Sequence, residues 1–152
     1  MAGFGVSRAG AILAASDFER SLAFYRDLLG FEVEALYDAP PYAILSRAGM
    51  RLSLAEQGHT APDHDVVMTA PADPSRAAAM LVLEVDDAHA VYEALETEGA
   101  DFVAPLYSPP WGGHRFFVLD PDGSLPKANS VAEWSGSSAK SSLDSLPAVA
   151  EF

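Results

Sequence analysis

The residues that could do chemistry here are rings and cations rather than nucleophiles. Tyr107-Ser108-Pro109-Pro110-Trp111-Gly112-Gly113 sets an aromatic loop between two prolines and two glycines. A large ring displayed on such a loop can stack on a planar ligand, or else cap a core. His114 follows, able to act as a base or hydrogen-bond donor. Arg115 can hydrogen-bond a carbonyl or carboxylate of a ligand, or instead pair with the Asp120 region, and Phe117 adds a second ring. Tyr37, Tyr42 and Met80 complete the set, each with plain packing as its competing reading. No Ser–His–Asp arrangement, Gly-rich phosphate loop or paired-carboxylate motif stands out, and the four histidines are scattered, with His59 and His64 in a Pro- and Asp-rich stretch. The chain has no cysteine, which removes thiolate metal sites and cysteine nucleophiles.

Strand alternation assigns these side chains to faces. Arg115, Phe117 and Leu119 oppose Phe116 and Val118, while Tyr42 and Ile44 oppose Ala43 and Leu45. Met80, Val82 and Glu84 oppose Leu81, Leu83 and Val85. The elements that carry them repeat. Ser16-Asp17-Phe18-Glu19 opens a helix with Phe18, Leu22, Tyr25 and Leu29 at helical spacing, a Ser16–Glu19 capping box and Gly30 as its stop. About 70 residues later Asp86 or Asp87 caps a second helix carrying Val91 and Leu95, which Gly99 stops. Three strand-like runs follow each helix, and Asp120-Pro121-Asp122-Gly123 is spaced as a type I turn. The expected fold class is α+β: two βαβββ modules, residues 1–57 and 77–134, forming curved mixed sheets around a cavity. Residues 58–76 link them, and residues 135–152 form a Ser-rich tail with Leu143–Phe152 able to dock locally.

At 152 residues and 49% hydrophobic content the chain has enough apolar material for a core, and no apolar run is long enough to span a bilayer. A net charge of −13 repels a phosphate backbone or anionic membrane, which excludes nucleic-acid binding. The start lacks a basic region followed by an apolar stretch, so a cytoplasmic location is expected.

The repeated helices, with SDFERSLAFYRDLLGFEV in the first module and PWGGHRFFVLDPDG before the last strand, resemble the vicinal oxygen chelate superfamily. That superfamily holds glyoxalase I, extradiol dioxygenases, fosfomycin-resistance enzymes and bleomycin-resistance proteins. The resemblance spans about Ser7 to Val131 and implies a homodimer whose ligand cavity lies between concave sheets. It also implies metal ligands on the first and last strand of each module. Those positions fall here on Gly10, Ser53, Met80 and Lys127, none a ligand of the required kind.

The resemblance therefore points to the metal-free antibiotic-binding members. The expected function is sequestration, without cofactor or chemistry, of a hydrophobic, polyaromatic drug of bleomycin, mitomycin or enediyne type. Its contacts would come from Trp111, Phe117, Tyr42, Met80, Ser53, Arg115, Tyr37, Tyr107 and His114. Two alternatives stand beside it. One is a metal-dependent lyase, dioxygenase or thiol transferase recruiting His114, Glu56 or Glu84; the other is a structural or regulatory dimer with a filled cavity.

Overall fold

A capping aspartate followed by apolar residues at helical spacing starts each helix. In the computed structural model, which describes residues 3–58, 66–73, 79–110, 112–122 and the backbone of 125–130, Asp17 caps α1 (Phe18–Ala23) by accepting from the Arg20 N–H at 3.1 Å. The Ser16–Glu19 capping box does not form. Both the backbone N–H and the hydroxyl of Ser16 turn instead to Asp122. Asp17, in extended backbone, takes the cap. Beyond Ala23 the helix widens into a π turn over Phe24–Leu28, closed by the Leu29 N–H on the Phe24 carbonyl. Gly30 ends it at φ +70°, a conformation that glycine adopts without a Cβ penalty. Asp87 caps α2 (Ala88–Thr97) in the same way, through the Ala90 N–H.

One strand precedes each helix and three follow. They are β1 (Gly10–Ala15), β2 (Glu32–Asp38), β3 (Pro41–Arg47) and β4 (Met50–Glu56), then β5 (Met80–Glu84), β6 (Asp101–Tyr107), β7 (His114–Leu119) and β8 (Leu125–Ser130). The sheets have the orders β1-β4-β3-β2 and β5-β8-β7-β6, with the first and last strand of each module parallel. This is the α+β pair of βαβββ modules expected from the repeat. Pro126 sits in the interior strand β8, opposite Leu81, where its missing N–H removes one ladder bond.

The helix-side faces of the two sheets share one core. Phe18, Leu22, Tyr25, Leu45, Leu52 and Leu54 of the first module belong to the same cluster as Ala88, Leu95, Phe116 and Val118 of the second. Each large side chain so buried contributes on the order of 1.5–3 kcal/mol. Polar bonds finish the boundary: the Tyr25 hydroxyl donates to Asp120 Oδ2 at 2.7 Å and the Ser21 hydroxyl to Asp122 Oδ2 at 2.6 Å. With helix-side residues of both modules joined in one core, the opposite face of each sheet is left open among the described residues.

Candidate functional site

The open faces gather four of the candidate rings, Tyr37, Tyr42, Tyr107 and Phe117, and the strand register arranges them in rows. On the first sheet one row reads Ile12, Ser53, Ile44, Ala35 across β1, β4, β3 and β2. The next reads Ala14, Ala55, Tyr42, Tyr37, with the two tyrosine rings 6.2 Å apart at their centroids. On the second sheet the rows are Val82, Lys127, Phe117, Ala104 and Glu84, Asn129, Arg115, Tyr107. The Tyr42–Tyr37 pair of the first module is thus matched, position for position, by the Arg115–Tyr107 pair of the second.

Arg115 holds its guanidinium 5.7 Å from the Tyr107 ring centroid and 6.0 Å from that of Phe117. A flat cation over two rings forms a polarised platform. Together with Ala104, Pro105 and Leu106 these residues wall a pocket of about 310 Å³. Tyr107, Tyr37, Met80 and Val82 are each 42–54% exposed, so the platforms present apolar surface outward.

The far end of the first face is polar. Glu34 accepts from Arg8 at 2.5 and 3.1 Å, and Arg51 Nε lies 3.7 Å from the same carboxylate. Hydrogen bonds from Ser46 and Arg8 hold the Glu34 carboxyl below the usual carboxylate range.

The four positions implied as metal ligands all lie on open-face strand positions, but in different rows. Ser53 pairs with Ile12 and Lys127 with Val82, whereas Gly10 pairs with Arg51 and Met80 with Leu125. Gly10 cannot gain a side chain on this backbone. A Cβ there would collide with the Arg51 carbonyl oxygen and stand 2.9 Å from Arg51 Cβ. Among the described residues no group of three or more His, Asp or Glu side chains converges. The described side chains at these positions, a glycine, a serine and a methionine, do not fit a divalent ion.

His114 departs from the expected set. It has the parity of Phe116 and Val118, and its ring meets that of His89 on α2, edge to face, at 4.6 Å. Its Nδ1 lies 2.7 Å from the Ser108 hydroxyl. It therefore belongs to the helix side of β7, away from Arg115 and Phe117, because adjacent strand residues point oppositely. Ser53 is on the open face but only 6% exposed, between Ile12 and Ile44. Trp111, His59 and His64 lie outside the described residues, as does the side chain of Lys127.

The turn signal at Asp120-Pro121-Asp122-Gly123 gives no sign that these carboxylates bind Tyr25, Ser21 and Ser16; those partners stand 95 to 106 residues away. The Arg8–Glu34–Arg51 cluster was missed as well, although β4 alternation already places Arg51 on the same face as Ser53.

Residues 8–125 match the family model described as the Glyoxalase/Bleomycin resistance protein/Dioxygenase superfamily. Among solved structures, TioX from Micromonospora sp. ML1 aligns with a TM-score of 0.67 and 21% identity, over 83% of this chain and 99% of that one. SMU.1112c aligns at 0.66 and 21%, over 84% and 100%. Lactoylglutathione lyase from Agrobacterium tumefaciens aligns at 0.65 and 16%, over 83% and 95%. Likeness at these identities is likeness of fold. No curated protein sequence matches the chain significantly.

Proposed function

From the match over residues 8–125, the chain belongs to the Glyoxalase/Bleomycin resistance protein/Dioxygenase superfamily, and on that premise we propose that it is a cytoplasmic binding protein that sequesters a hydrophobic, polyaromatic antibiotic without altering it. The superfamily holds enzymes as well as binding proteins, so the site must decide. The observation that carries the reading is the pair of matched platforms, Tyr37 with Tyr42 and Tyr107 with Arg115 and Phe117, on faces rich in exposed apolar surface. Such surfaces take flat rings by stacking and burial.

Metal-dependent chemistry lacks equal support. Gly10 and Met80 offer no oxygen or nitrogen side-chain donor, and His114 lies on the helix side. One sheet leaves a ligand exposed on one side, and a second copy of the chain would supply the other wall. A ligand of about 40 heavy atoms enclosed in this way could reach on the order of −12 kcal/mol, nanomolar affinity.

The test is calorimetric titration with bleomycin-, mitomycin- and enediyne-type compounds, followed by mass spectrometry of the recovered drug. Tight binding with unchanged drug mass is expected. Chemical change in the drug, or a stoichiometric divalent metal in the purified protein, would overturn the reading.

A further inference from the structure

A second groove lies apart from the Tyr107–Arg115 platform. It runs along the boundary between the modules, past the edge strand β5, with a volume of about 840 Å³, and is lined by Leu28, Leu29 and Met50 of the first module and by Val82, Val91 and Leu95 of the second. Apart from Arg47 and Glu84 its lining is apolar. The repeat shows what is missing there. At the other module boundary Ser21 and Tyr25 of the first helical segment meet Asp122 and Asp120 of the β7–β8 turn. The equivalent positions are Val91 and Leu95 on α2 and Arg47 at the end of β3, and these line the groove instead of bonding across it. Arg47 is turned to the Leu29 carbonyl of its own module. Among the described residues nothing covers this apolar surface, and surface of this extent calls for an occupant.

We propose that the occupant is the chain's own segment Leu143–Phe152. Strand β8 runs parallel to β5 with Asn129 opposite Glu84, so the chain leaves its last described strand beside the Glu84–Val85 wall of the groove. The twelve residues 131–142 that follow Ser130 reach roughly 40 Å when extended. That exceeds the roughly 15 Å length of α2, whose ten residues form one side of the groove. Leu143, Leu146, Val149 and Phe152 match the apolar lining.

Hydrogen exchange on the full chain tests this. Amides of residues 143–152 are expected to exchange at least about tenfold more slowly than in the isolated segment. Ala94→Glu, at an exposed groove position on α2 where glutamate is a good helix former, is expected to restore fast exchange in residues 143–152 while core amides keep their protection. Fast exchange in the unaltered chain overturns the proposal, as does protection that Ala94→Glu leaves intact. Protection that disappears on dilution places a second copy's segment in the groove and overturns it too. None of these outcomes depends on drug binding at the open faces.

Discussion

The Tyr25 hydroxyl and the Asp120 carboxylate meet at 2.7 Å across 95 residues of sequence, joining the π turn of the first module to the β7–β8 turn of the second. Asp120 is 4% exposed and also accepts from the Asp122 N–H at 3.0 Å, while Asp122 reaches on to Ser16 and Ser21. The boundary is therefore held by two aspartates in one turn, each bound to the first helical segment or the residues before it. Burial, then the neighbouring Asp120 charge, pushes the Tyr25 phenol far above the usual tyrosine range.

Tyr25→Phe removes the donor from a buried carboxylate and is expected to cost about 1–3 kcal/mol in urea unfolding. Because the folded phenol titrates above its unfolded value of 10.0, its contribution is complete below that pH and is lost as pH rises, when the unfolded tyrosine ionises. The stability gap between the parent chain and Tyr25→Phe should thus shrink above pH 10. A gap that stays constant through that range would show that Tyr25 does not stay neutral in the fold.

Gly10→Ala forces a Cβ against the β4 backbone at Arg51. Separating β1 from β4 to admit it is expected to cost about 1–3 kcal/mol, read from the denaturation midpoint. Gly10→His should be at least as destabilising and should gain no thermal stability from added zinc. A zinc-dependent rise in melting temperature would mean that the metal positions had only lost one ligand.

Much of this architecture is legible locally. The two capped apolar helices, their glycine stops and the split of Phe116 and Val118 from Arg115 and Phe117 follow from periods of 3.6 and 2, which neighbouring residues alone determine. What stays hidden depends on distant partners. Asp17 rather than Ser16 caps α1 because Asp122, 106 residues on, claims Ser16. The turn motif explains Asp120 and Asp122 without requiring their carboxylates to bind anything. His114 adjoins the aromatic loop in sequence, yet the alternation that places Arg115 outward turns it inward against His89.

On the proposed binding faces, Phe117→Ala and Tyr42→Ala are each expected to weaken a polyaromatic ligand by about ten- to a hundredfold, on the order of 1–3 kcal/mol. Both side chains are only half-buried, so folding should change less than binding. His114→Ala, on the other side of β7, should leave affinity unchanged in the same fluorescence titration. Equal losses at His114 and Phe117 would mean that the ligand does not sit on the open face.

Ile12 on β1 and Val82 on β5 are 49% and 48% exposed, each on the edge strand of its sheet. Apolar residues on an open sheet edge favour pairing with another chain unless they are covered. Light scattering at micromolar concentration is expected to give a dimer for the parent chain and a monomer for Val82→Glu, with the thermal midpoint little changed. If the cavity is completed between copies, the monomeric variant should also lose ligand affinity, although Val82 lies across the sheet from Tyr107 and Arg115. A Val82→Glu monomer that binds as tightly as the parent would instead place the whole site within a single chain, on the Arg115 platform alone.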